Sequence, residues 1–223
     1  MTLNDAPMRI SEYFDNVYAG SGRFWWRDEG RYALESDAYP SSLLTQQTLR
    51  LLADRSPGRA LDIGAGEGTD AIRLALLGYE VDAVEVSKVG AQKIGQFAAE
   101  ASAKLNVIPS DIQDFVADCE YDVIICNGVL HYVENKQRVI DLMQDATRKG
   151  GINVISLWSD YTPVPECHEF VPVYADKENG VVTTRYRGWR NEFIYFERDK
   201  SEMAHSDLPA HRHSHIKLIA SKP

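Results

Sequence analysis

Short apolar runs alternate with stretches whose apolar positions recur at helical spacing, from about residue 41 to residue 157. Arg59 to Ile63, Tyr79 to Val86, Leu105 to Pro109, Tyr121 to Cys126 and Gly151 to Leu157 read as five strands. They are apolar runs without strict polar alternation, as in strands covered on both faces. Ser41-Ser42 precede Leu44, Thr48, Leu51 and Leu52, which share one face of a predicted helix that ends at Pro57-Gly58. Further helices are predicted from Thr69 to Leu77, with Gly78 as cap, from Lys88 to Lys104 and from Glu134 to Arg148. Strands joined by helices of roughly 10–15 residues predict a parallel sheet with crossover connections.

Both ends depart from this pattern. The first forty residues are rich in aromatics and irregular, from Tyr13-Phe14 through Phe24-Trp25-Trp26 to Tyr39-Pro40. Beyond Leu157, Pro163, Pro165 and Pro172 interrupt the periodicity, and a polar helical piece follows around Gly180 to Arg187. Asn191 to Glu197 and His213 to Ala220 then read as two more strands. Their link is too short for a helical crossover, which predicts an antiparallel pair at the sheet edge. The expectation is a single α/β domain over 1–223, with a seven-stranded, mostly parallel sheet and an antiparallel C-terminal strand pair. Within it, 1–40 would form an aromatic-rich lid, 41–157 the ligand-binding core and 158–223 a substrate-side segment.

Composition narrows the partners. A net charge of −9 argues against nucleic acid, whose phosphates need clustered Lys and Arg. No apolar run approaches about 18 residues, and Met1 to Met8 carry no basic-then-apolar leader pattern. Cys119, Cys126 and Cys167 form no evident disulfide framework, and Cys126 reads as a small core residue. A cytoplasmic protein with a small-molecule partner is expected; oligomeric state is not legible.

The chemistry concentrates after the first strand, in Asp62-Ile63-Gly64-Ala65-Gly66-Glu67-Gly68-Thr69. Glycines allow a tight turn and a close ligand approach, and the next helix offers free N–H groups. Alone, such a turn also fits an NAD or FAD domain, but Thr69 stands where the dinucleotide fingerprint has its last glycine. Asp62 would repel a pyrophosphate, yet it can pair with the cationic amino group of a methionine moiety. Glu85, about 20 residues on, stands where a carboxylate accepts ribose hydroxyls. Asp111-Ile112, past the third strand, is placed to meet an adenine amino group, and Asn127-Gly128 to His131-Tyr132 border the same crevice.

In order and spacing, these motifs from Ala60 to Leu157 resemble class I S-adenosylmethionine (SAM)-dependent methyltransferases. The resemblance implies a Rossmann-like fold, SAM as cofactor and S-adenosyl-L-homocysteine as product. It assigns cofactor contacts to Asp62, Gly64, Ala65, Gly66, Gly68, Glu85, Val86, Asp111, Ile112, Asn127 and Gly128. The tail, with Arg185-Tyr186-Arg187-Gly188-Trp189-Arg190, Glu202, His205 and Ile216 to Lys222, resembles the tellurite-resistance (TehB-like) methyltransferases. In that family the tail packs beside the methyl-transfer site, which implies substrate contacts from a His and an Arg, here His205 and Arg187. Glu202-Met203-Ala204-His205 is one residue longer than the family's Glu-Leu-His pattern.

On the acceptor side, His211, His213 and His215 would share one face of a strand. They read as a substrate-facing imidazole row with Arg212 nearby, as a solvated strand end, or as metal ligands. Alternate residues of one strand lie roughly 7 Å apart, so convergence on an ion needs another ligand such as His168, and no metal site is assigned. Trp25 and Trp26 read either as a lid over the substrate or as a plug, with Arg23 and Arg27 available to an anion. His131, His205 and His213 are the candidate general bases, and Trp25, Trp26, Tyr132, Arg187, His211 and His215 the candidate substrate contacts. The implied activity is methyl transfer to a small molecule, with a thiol or chalcogen acceptor. N-, O- or C-methylation of a metabolite is the alternative, and a SAM-binding protein without turnover is a third reading.

Overall fold

The computed structural model describes residues 8–25, 43–168, 171–202 and 208–223. Seven strands form one sheet in the order β3-β2-β1-β4-β5-β7-β6. They are β1 (Arg59–Ile63), β2 (Glu80–Glu85), β3 (Asn106–Pro109), β4 (Tyr121–Asn127), β5 (Thr147–Ser159), β6 (Arg190–Glu202) and β7 (His211–Ser221). β1 to β5 pair in parallel, and β7 runs antiparallel to both β5 and β6. Chain order reverses at β1, which pairs with β2 on one side and β4 on the other. Ligands of open α/β sheets bind beyond the strand ends at such a switch point.

Six α-helices are described: α1 (Ile10–Ala19), α2 (Leu43–Leu52), α3 (Thr69–Leu76), α4 (Lys88–Glu100), α5 (Lys136–Ala146) and α6 (Gly180–Arg185). Alternate strand residues face two cores. Ala60, Val81, Val123 and Val154 pack with Leu44, Leu52, Leu74 and Ile94 of α2, α3 and α4. Leu61, Ile63, Ile124 and Ile155 pack with Val139, Ile140 and Met143 of α5 and with Val182 and Tyr186 on the α6 side. Cover on both faces is why these strands are apolar throughout. Cys126 is fully buried in the second core. No helix among the described residues is long and apolar enough to cross a membrane.

Three expectations need correction. The segment read as irregular contains α1, whose Tyr18 is buried; its aromatics bury one helical face. The helix predicted to reach Arg148 stops at Ala146, and β5 starts at Thr147. There Thr147 Oγ1 donates to Asn153 Oδ1 at 2.6 Å and Asn153 Nδ2 to Tyr186 Oη at 2.8 Å, so buried polar partners hold Thr147 in the strand. β7 begins at His211 rather than His213, because Glu202 at the end of β6 extends the pairing to it.

Candidate functional site

The glycine turn lies at the switch point. Gly64, Gly66 and Gly68 all have positive φ, at 66°, 62° and 84°, a region that side chains with a Cβ avoid. Gly64 has a second reason, since a Cβ there would lie 2.3 Å from Val129 Cγ2. Gly128 has φ 77° and open space around it. Gly64→Ala is therefore expected to lower stability well beyond the ~1 kcal/mol that left-handed strain costs Gly128→Ala. Equal losses in denaturant melts of the two variants would refute the close approach to Val129.

Three acids lie along the edge of this turn. Asp62 is buried, and its Oδ2 has no hydrogen-bond partner among the described residues. Burial first, then the Asp70 carboxylate, raise its pKa well above the usual range. An orphaned buried carboxylate oxygen beside a glycine cradle fits a cationic amino group. Glu85 ends β2, its Oε2 accepting from Gly66 N–H at 2.7 Å and its Oε1 from Ser87 N–H at 2.8 Å. Each oxygen keeps a lone pair for a ribose hydroxyl. Burial pushes its pKa up to about 7 against those backbone donors. Ser110 N–H donates to Glu85 O at 3.0 Å, which brings Asp111 and the buried Ile112 to the same rim. Val86 and Ala65 border it. Asn127 ties the end of β4 to α3 and β5, donating to Asp70 Oδ2 at 3.2 Å and accepting from Ser156 Oγ at 2.6 Å. These residues fit S-adenosylmethionine.

An N-terminal strap covers the turn. A Cβ on Gly66 would meet Tyr18 Oη at 3.0 Å and Trp25 Nε1 at 3.3 Å, and Trp25 Nε1 donates to Tyr18 Oη at 3.2 Å. Glu67, wholly buried, accepts from Phe24 N–H, Trp25 N–H and Lys93 Nζ at 2.8, 2.7 and 2.8 Å. Glu67 and Lys93 were invisible in the sequence as a pair; a glutamate inside the glycine turn was their one signal. Arg23, a candidate anion contact, instead pairs with Glu100 and lies over the Phe97 ring at 4.4 Å. Trp26 and Arg27 lie outside the described residues.

The histidines singled out in the sequence gather in a stack of rings around Trp158, the penultimate residue of β5. His131 stacks on one side of it with centroids 4.3 Å apart, and His213 stacks on it at 3.9 Å. Tyr132 packs edge-on against Phe14 of α1 at 5.5 Å, joining this stack to the strap. His168 sits edge-on to Trp158 at 4.8 Å. His211, His213 and His215 share one face, with ring centroids 4.5 and 5.7 Å apart. His131 is buried and its Nδ1 lacks a hydrogen-bond partner among the described residues. Burial first, then His215 and His213, hold its pKa well below the histidine range. Burial and then Lys217 bring that of His215 down to about 4.

Two sequence expectations fail here. Arg187 is exposed beyond α6, just before Arg190, which pairs with Ser221, itself opposite Ile152 where the pairing of β5 with β7 begins. That is the end of the sheet away from the crevice. Arg212 points to the opposite strand face, where Asp199 holds it at 2.6 and 2.8 Å. His205 lies outside the described residues.

Residues 37–219 match the family described as tellurite resistance protein TehB. The ubiquinone biosynthesis O-methyltransferase of Rickettsia felis is 29% identical over 134 residues, 59% of this chain and 55% of that one. The chain thus spans about half the length of the curated relatives it matches. TehB from Haemophilus influenzae superposes with a TM-score of 0.68 at 20% identity, over 83% of this chain and 64% of that one. The magnesium protoporphyrin IX methyltransferase of Synechocystis PCC 6803 with bound SAM gives 0.61 at 18% identity, over 99% and 100%. The fold is that of the class I SAM-dependent methyltransferases. With the match extending over most of its length, the chain belongs to the TehB family of tellurite resistance proteins.

Proposed function

We propose that this protein is a SAM-dependent methyltransferase acting on a small molecule, with a thiol or reduced chalcogen as acceptor atom. The observation that carries the first half is the buried Asp62 Oδ2, without a hydrogen-bond partner among the described residues, beside the glycine turn, with Glu85 at the same edge. Asp62 would hold the cofactor's amino group, Glu85 the ribose hydroxyls, and Asp111 with Ile112 the adenine. When bound, the cofactor supplies a methyl group already activated by its sulfonium leaving group. The chain has then to orient the acceptor and exclude water. Tyr18 and Trp25 close the crevice over Gly66, and Tyr132, His131 and Trp158 wall its acceptor side.

The acceptor half rests on proton chemistry. His131 and His215 are neutral near pH 7 and are weak bases. A phenol or ammonium acceptor would need a stronger one, whereas a thiol or reduced chalcogen ionises with little help. The tellurite resistance family points the same way. The second reading, an N-, O- or C-methyltransferase, is favoured by the O-methyltransferase relatives. Release of S-adenosylhomocysteine should be measured with alkyl thiols, selenols, phenols and amines at equal concentration. Turnover with thiols and selenols is expected; turnover confined to phenols or amines selects the second reading, and none with any acceptor despite SAM binding selects the silent binder.

A further inference from the structure

A second constellation lies behind Trp158, where three separate stretches of chain bring nitrogen and oxygen donors together. His168 comes from the short 3-10 turn Glu166–His168, Glu202 from the end of β6, and His211 and His213 from the start of β7. His168 Nε2 lies 3.5 Å from His211 Nε2. Glu202 Oε2 lies 3.7 Å from His211 Nε2 and 3.8 Å from His213 Nε2. A tetrahedral ion with bonds of about 2.0–2.1 Å sets its ligand atoms roughly 3.4 Å apart, so Glu202 has to close on His211 and His213 by only a few tenths of an ångström, while His168, grouped here with His211 but not with Glu202 and His213, has to swing further toward those two. The three imidazoles are buried and Glu202 is half-buried.

Ring orientation strengthens the case. His211 Nδ1 lies 2.7 Å from Pro209 O, and because a carbonyl only accepts, that nitrogen must carry the proton. Nε2 then points its lone pair into the cluster. Anchoring the far ring nitrogen on a backbone carbonyl is how ligating histidines are oriented. On β7 only His211 and His213 converge, with ring centroids 4.5 Å apart, whereas His215 turns toward Glu197. The carboxylate from the neighbouring strand and the imidazole from the turn supply what this pair lacks.

We propose that His168, His211, His213 and Glu202 bind one borderline dication of the zinc class. Three imidazoles and a carboxylate suit such an ion rather than magnesium or calcium. Four protein ligands leave no open position, so the ion positions rather than reacts. It ties the 3-10 turn and the ends of β6 and β7 together and sets the His213 ring against Trp158, one wall of the acceptor side. Cys167, whose sulfur lies within 4.8 Å of the ligand nitrogens of His168 and His211, is the competing ligand. The effect on the acceptor rests on the function proposed above, whereas ion binding does not.

The full-length protein, stripped with a chelator, should be titrated with Co(II) and with Zn(II) by calorimetry and absorption. One ion per chain is expected, with a tetrahedral Co(II) spectrum and quenching of tryptophan fluorescence. His211→Ala and Glu202→Gln should each weaken binding roughly 100-fold or more, while Arg212→Ala, on the other strand face, leaves it unchanged. SAM affinity, unaltered in all three variants, reports that they fold. Removing the ion should raise the KM for acceptor with little change in SAM affinity. No stoichiometric ion, or equal binding by wild type and His211→Ala, would overturn the site. A near-ultraviolet thiolate-to-Co(II) band lost in Cys167→Ser would overturn the four-ligand assignment. An ion whose removal leaves the acceptor KM unchanged would overturn the positioning role.

Discussion

Glu85→Ala is expected to weaken SAM binding by roughly 100-fold, since hydrogen bonds to a charged acceptor contribute about 1.5–3 kcal/mol each. The pH dependence identifies the cause. The Glu85 carboxyl has its pKa raised to about 7 by burial, so it gains a proton as pH falls through that value and loses an acceptor site for the ribose. SAM affinity of the wild type should therefore rise with pH up to about 7 and then level off. Stability of the unliganded protein should move the other way. A raised carboxyl pKa adds stability at low pH that is lost as pH rises through the folded value, here on the order of 3 kcal/mol. Glu85→Gln should flatten both profiles. Calorimetry and chemical denaturation across this range would test them, and a SAM affinity independent of pH would remove Glu85 from the cofactor site.

Glu67→Ala should be the most damaging single substitution outside the sheet. It removes the acceptor for Phe24 N–H and Trp25 N–H and leaves the Lys93 ammonium, itself largely buried, without its 2.8 Å partner. Breaking a buried pair by deleting one member costs about 3–5 kcal/mol, which for a chain of this length lowers Tm by roughly 6–20 °C. Glu67→Ala with Lys93→Met should recover part of the stability but not the strap, because the two backbone donors remain unsatisfied. The expected signature is thus partial recovery in Tm with SAM affinity still weakened. A single-variant loss under 1 kcal/mol would show that something else holds the strap over Gly66.

Much of the core is legible in the sequence. Five parallel strands, the antiparallel pair and the acids at Asp62, Glu85 and Asp111 all follow from local pattern and spacing. These are short-range properties: a strand buried on both faces must be apolar, and a turn that a ligand approaches closely must lack Cβ atoms. The exceptions are boundaries. α1 is hidden because its aromatics lie in a segment with no repeating neighbour to set a period, and Thr147 enters β5 because Asn153 and Tyr186 satisfy its surroundings.

The tail is less legible. Arg212 stands between two of the β7 histidines and Arg187 belongs to the same tail, yet pleating turns Arg212 to the opposite strand face and strand direction carries Arg187 to the far end of the sheet. What the chain by itself determined is its fold and its glycine turn, because both are written in periodicity and in glycines whose neighbours are adjacent in sequence. Only the tertiary structure decided how Glu67 meets Lys93, how Trp158 comes between His131 and His213, and how His168 and Glu202 join the β7 histidines. Those meetings depend on register and crossover, which place residues far apart in the chain within a few ångströms.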